Sequence, residues 1–209
     1  MQAIDRIEYK GYRIEIHQDE PSESPREWCN LGTMVCFHNR YDLGDKSSFS
    51  TPESCSAYLE TMGDKVIALP LYLYDHSGLS IKAGSFNGML PQGHAQFDTM
   101  MVGWIYVTKD GWERKGITEE QAEEILRAEI ETYNDYLTGD VYGYIVYDTT
   151  GEAVDSCWGF FGNPDTIAIP EAKSVIDWTI KNTIERHTKQ LKSWILSKVP
   201  LIHRRPLTI

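Results

Sequence analysis

Apolar and polar residues alternate through Ile4-Asp-Arg-Ile-Glu-Tyr and again through Tyr12-Arg-Ile-Glu-Ile, with Lys10-Gly11 between them. A period of two on either side of a glycine predicts a β-hairpin that opens the fold. Residues 18–28 are polar and hold Pro21 and Pro25, so a loop is expected there, followed by a strand over 32–38. Thr51-Pro52-Glu53-Ser54 reads as an N-cap with proline in the first helical position, and predicts a short helix ending near Gly63. Strand composition on both sides of Asp75-His-Ser-Gly78 predicts a hairpin over 65–82, and the Gly- and Pro-rich stretch 83–97 an exposed loop. The apolar and aromatic run 100–108 predicts a central strand.

The clearest pattern follows Ile117-Thr-Glu-Glu-Gln121, a capping box in which Thr118 and Gln121 satisfy each other's backbone donors. At 100° per residue Ala122, Ile125, Leu126, Ile130, Tyr133 and Leu137 share one side of a helix that Gly139 stops. Glu120, Glu124, Glu131 and Asp135 form a narrow stripe opposite. Segments 141–147 and 154–161 predict a further hairpin that extends the sheet. A long helix is expected over 170–198, with a basic tail over 199–209. Strands that come as hairpins, not as βαβ units, predict an α+β fold: a predominantly antiparallel sheet packed on two main helices, in one domain over 1–209.

Charge sharpens this picture. Residues 165–209 carry eight Lys or Arg against four Asp or Glu, leaving 12 against 27 elsewhere, so a body of −15 is joined to a region of +4. Such a body repels phosphate backbones and attracts basic proteins, and direct nucleic-acid binding is expected only through the basic C-terminal part. There Arg186, Lys189, Lys192, Lys198, Arg204 and Arg205 follow the last acidic residue. The same group is a candidate to dock on the acidic body of a second copy, giving a homodimer. The N-terminus shows no secretory pattern, and the longest apolar run, 66–74, is about half the roughly 20 residues a bilayer needs. A cytosolic location with no membrane partner is expected. The four cysteines lack the dense spacing of a disulfide scaffold.

Candidate chemistry is sparse. Cys29, Cys36 and His38 have donor types suited to a soft metal, with Cys36 and His38 expected on one side of a strand. Their spacing is wider than that of structural zinc sites, and a further ligand would have to come from Cys55 or His76. Asp75 and His76 sit at an expected hairpin tip, where His76 is a candidate general base. Arg26, Glu27, Trp28, Arg40 and the stretch ending at His94 are the other polar groups that loops would have to gather for a small hydrolase or nucleotide-processing site. No Walker loop, dinucleotide fingerprint, His-Glu-x-x-His or calcium loop occurs, and no motif calls for a cofactor. Glu120, Glu124, Glu131 and Asp135 are either a solvated helix face or a contact surface for a basic partner.

The run Ser24-Pro-Arg-Glu-Trp-Cys-Asn-Leu-Gly-Thr-Met-Val-Cys-Phe-His38, followed by Arg40-Tyr-Asp-Leu-Gly-Asp45, resembles a sequence found in uncharacterised proteins of bacteriophages and other mobile elements. So do Leu69-Pro-Leu-Tyr-Leu-Tyr-Asp-His-Ser-Gly78, Gly103-Trp-Ile-Tyr-Val107, residues 133–143 and Asp155-Ser-Cys-Trp-Gly159. Cys29 departs from the resemblance, which has an acidic or other polar residue there and so weakens the metal reading. Small acidic proteins of mobile elements often bind host factors, including restriction and CRISPR nucleases with basic grooves. The resemblance therefore implies an accessory protein that modulates a host factor through an acidic surface. A hydrolase around His76, and a structural or assembly protein, are the other readings.

Overall fold

A computed structural model describes residues 2–20, 22–90 and 98–198. The fold is α+β, with four α-helices and eight strands in two antiparallel sheets among the described residues. Contacts group the chain into two compact units, Gln18–Val141 and Met1–His17 with Tyr142–Ile209. This is a finer division than the one domain over 1–209 expected from length.

In the unit made from both ends, β1 (Asp5–Tyr9) and β2 (Tyr12–Gln18) pair in the expected hairpin register, Tyr9 opposite Tyr12. Lys10 and Gly11 both take positive φ, 51° and 85°, as a two-residue turn matched to strand twist requires. The hairpin of β7 (Val141–Tyr147) and β8 (Ala153–Phe161) completes the order β1-β2-β7-β8. It was expected to extend a single antiparallel sheet; it extends the N-terminal hairpin, and the remaining strands form a second sheet, because the pairing of distant hairpins is not set by local pattern. Ile14 and Ile16 from β2 and Tyr144 and Val146 from β7 face the long helix α4 (Ala168–Lys198) and bury Ala168, Ile169, Ala172 and Ile176 against one sheet face. Tyr9 and Lys10 reach the same helix at Asp177, with Lys10 Nζ 2.7 Å from its carboxylate. Helix α4 begins two residues before the predicted Pro170. Proline fits there because the first turn has no intrahelical acceptor for its missing N–H.

The continuous unit is built on the sheet β3-β6-β4-β5, comprising β3 (Thr33–Cys36), β4 (Val66–Asp75), β5 (Leu79–Ala83) and β6 (Thr99–Thr108). Helix α1 (Pro52–Met62) covers one face, burying Cys55 and Leu59 against Val35 and the half-buried Trp104 and Tyr106. Helix α3 (Glu119–Thr138) covers the other with Ala122, Leu126, Ile130 and Tyr133, over Leu69, Leu71, Leu73, Ile81 and Ile105. Both helices start at the N-caps expected, Thr51 and Thr118; the capping box predicted at Thr118 is closed by Gln121, and Thr51 also forms one with Ser54, which was not predicted. Short helix α2 (Lys109–Arg114), which no pattern predicted, buries Trp112 in the same core as α3.

One irregularity sets the sheet's inner faces. Gly103 of β6 pairs with Leu71 while Met101 pairs with Tyr72, so Val102 is an extra residue and the register shifts. A bulge changes which parity faces the core, and Val102, Ile105 and Val107 are all buried as a result. A Cβ at Gly103 would lie 1.9 Å from the Val35 carbonyl oxygen, so only glycine lets β3 approach this closely.

Candidate functional site

The acidic stripe stands on the outer face of α3. Glu120, Glu124 and Glu131 are exposed and Asp135 is half-buried, while Ala122, Leu126, Ile130 and Tyr133 occupy the inner face. Ile125, expected inside, is 37% exposed, because it lies at the edge of the apolar arc. Six glutamates and Asp135 against Arg127 leave this 20-residue helix at −6. Arg127 is held by Glu123 at 2.6 Å and Glu129 by Arg26 at 3.0 Å. None of the four stripe carboxylates has an ion-pair partner among the described residues. Glu120 is held below the ordinary glutamate range by backbone and Thr118 hydrogen bonds at the helix start. Asp135 is pushed the other way, first by burial and then by the charges of Asp140 and Glu131.

The Ser-Pro-Arg-Glu-Trp segment has a different role from the catalytic one weighed for Arg26 and Glu27. Ser24 caps a 3-10 turn at Pro25–Glu27, and the Arg26 side chain, only 4% exposed, runs inward. Its Nε and Nη2 donate to both oxygens of Asp45 at 2.8 Å, Nη1 donates to Glu129 at 3.0 Å, and Nη2 also donates to the Gly32 carbonyl at 2.8 Å. Glu129 in turn accepts the Leu31 N–H at 2.6 Å, and Asp45 accepts the Met34 N–H at 2.8 Å. Burial lowers the Arg26 pKa, but the hydrogen bonds to Asp45 and Glu129 outweigh it and the net shift is upward. Arg26 therefore clamps the loop, β3 and α3 together with its side chain buried. Glu27 is exposed beside it and belongs to no such group.

Asp75 and His76 lie at the tip of the β4–β5 hairpin, as predicted, but diverge. Asp75 is bonded to Arg40 and lies 3.5 Å from the Tyr41 hydroxyl. His76 Nδ1 is 3.3 Å from Asp98 and its ring stacks on Tyr74 at 5.9 Å. Adjacent residues at a turn point opposite ways, and Ser77 takes a positive φ of 60° to close it. The structure thus supplies a His–Asp pair that sequence reasoning missed, because Asp98 is far from His76 along the chain, with β5 between them. His94, Arg204 and Arg205 lie outside the described residues.

The three soft-metal candidates do not meet. Strand β3 ends at Cys36, so His38 lies in the following turn, not on the expected strand face; its Nδ1 accepts the Arg40 and Tyr41 N–H groups at 3.2 Å. Cys29 is exposed, whereas Cys36 is buried enough that its thiol is pushed up to about 12, by burial first and the Asp45 charge second. Among the described residues no three His, Cys, Asp or Glu side chains are grouped to hold a metal ion. Cys36, His38, Arg40, Thr51, Glu53 and Met100 line an open cleft of about 820 Å³. No described helix is long and apolar enough to cross a membrane. No protein-family model matches the chain, and neither the curated proteins nor the solved structures provide a match.

Proposed function

We propose that this protein acts by binding, as a mobile-element accessory protein that engages and modulates a basic, nucleic-acid-handling host protein through the outer face of α3. The observation that carries this reading is the set Glu120, Glu124, Glu131 and Asp135, which project from one helix face without an ion-pair partner among the described residues. Asp135 is placed where burial and two neighbouring carboxylates oppose its charge. An arrangement that opposes its own ionisation is relieved when a partner supplies cations, and an acidic face of this kind raises the encounter rate with a basic groove. The resemblance to proteins of mobile elements suggests anti-restriction or anti-CRISPR inhibition as the setting.

Capture of partners by tagged protein from nuclease-treated bacterial lysate, read by mass spectrometry, tests the proposal. A stoichiometric basic partner is expected, and it should be lost when Glu120, Glu124 and Glu131 become Gln and Asp135 becomes Asn, with circular dichroism unchanged. Capture that survives the fourfold change removes the acidic face from the proposal.

The His76–Asp98 pair at 3.3 Å favours a second reading, a small hydrolase or nucleotide-processing enzyme in which Asp98 orients a His76 general base. Activity against esters, phosphodiesters or nucleotides that is unaffected by His76→Ala would exclude it.

A further inference from the structure

The α4 helix is about 46 Å long at 1.5 Å per residue, and its first half is the part that covers a sheet. Its apolar stripe nevertheless continues. Taking 100° per residue, Ile176 and Ile180, which pack on the core, are followed on the same face by Ile184, Leu191, Trp194 and Ile195. These four are 61%, 57%, 60% and 39% exposed. Lys181, Arg186, Lys189 and Lys192 lie around the rest of the circumference, with Lys198 near the end and Glu185 the one acid of this half. The distal half of α4 is therefore a basic amphipathic helix whose apolar face is uncovered among the described residues.

The continuous unit carries a surface of the opposite character. Between edge strand β5 and α3 runs a groove of about 490 Å³. Ile81, Phe86, Met89 and Ile130 give it apolar lining, with Met89 68% exposed, and Glu131 and Asp135 line its α3 side. Two cations also border it. Arg127 is committed to Glu123, and Lys82 sits over the Phe86 ring at 5.5 Å and contacts the Met89 sulfur. The α3 side thus stays acidic. An apolar groove with an acidic wall is the form that receives an amphipathic helix with basic flanks.

We propose that the distal half of α4 from one copy docks in the β5–α3 groove of a second copy. Leu191 and Trp194 would meet the apolar lining while Lys189 and Lys192 approach Glu131 and Asp135. Charge decides between this and pairing of two α4 helices. Two distal halves, each with five cations against one acid, repel one another, and their flanking positions hold no alternating charges of the kind that specify a coiled coil. The contact does not depend on the host-partner reading, although it uses two of the same carboxylates and would mask them.

The test is sedimentation velocity of the full chain over a wide concentration range at low and high salt. Self-association that weakens with salt is expected. Leu191→Asp with Trp194→Asp should weaken it about thirtyfold or more, the effect of losing a central interface anchor. Glu131→Lys with Asp135→Lys should do the same. The two double variants should each be monomeric alone and should form a heterodimer when mixed, because one intact helix then meets one intact groove. A wild-type chain that stays monomeric at all concentrations overturns the proposal. So does a groove variant that still dimerises, which would mean helix-to-helix pairing. Flotation of monomeric wild type with phosphatidylglycerol vesicles, lost in the Leu191→Asp, Trp194→Asp variant, would reassign the helix to an anionic lipid surface. Capture of a host partner by a strictly monomeric chain would leave the proposed function standing and remove this inference alone.

Discussion

Replacing Arg26 by methionine keeps much of the side-chain volume but removes the four side-chain hydrogen bonds that tie the Ser-Pro-Arg-Glu-Trp loop to Asp45, Glu129 and Gly32. Breaking a buried ion pair by deleting one partner typically costs about 3–5 kcal/mol, because the other charge is left uncompensated. Here two carboxylates are stranded, Asp45 and Glu129, with side chains 22% and 11% exposed. Neither is left bare: Asp45 keeps the Met34 N–H at 2.8 Å and Glu129 keeps the Leu31 N–H at 2.6 Å. The retained donors place the expected loss at the lower end, about 3 kcal/mol. Lysine at the same position keeps the charge but cannot form the two-pronged contact with Asp45, and a loss of about 1.5–3 kcal/mol is expected. Urea unfolding of the full chain, followed by far-ultraviolet circular dichroism and by tryptophan fluorescence, measures both changes, provided the two probes give coincident transitions. A cycle with Glu129→Gln should show coupling of about 0.5–3 kcal/mol. An Arg26→Met loss below about 1 kcal/mol, the range of an exposed pair, or strict additivity in the cycle, would refute the clamp.

Three other expectations concern single groups. Cys36, with its thiol pushed up to about 12, and fully buried Cys55 should resist iodoacetamide in the native state while exposed Cys29 and Cys157 are modified; mass spectrometry before and after urea checks this, and native labelling of Cys36 contradicts it. Asp135→Asn should stabilise the fold at neutral pH, because the wild-type carboxyl is raised in the folded state and its ionisation is opposed there. That gain should shrink as pH falls through the raised folded value and vanish below the unfolded value of 3.8; a gain independent of pH would reject the electrostatic cause. Gly103→Ala should destabilise by more than about 3 kcal/mol, past the usual overpacking range, since its Cβ would meet a backbone oxygen at 1.9 Å; a melting temperature near wild type would show that β3 can move away.

What the sequence determined by itself is local. Hairpin turns at Lys10-Gly11 and Asp75-His-Ser-Gly78, the N-cap at Thr51 and the capping box at Thr118 were legible because their hydrogen bonds close within a few residues. The acidic stripe was legible too, since helical period alone places Glu120, Glu124 and Glu131 on one side. Tertiary structure decided which hairpins share a sheet: β2 and β7 are neighbours across more than a hundred residues, and no periodicity encodes that pairing. It also decided that Arg26 faces inward. An arginine between proline and glutamate looks like a surface group until Asp45 and Glu129, from two other elements, close around it. His76 found Asp98 in the same way, and β3 stopped at Cys36, which left His38 in the loop beyond it although both line one cleft. The difference is one of range. Backbone geometry sets contacts a few residues apart, whereas contacts between distant segments depend on which apolar faces bury one another, and that is settled only when the chain has folded.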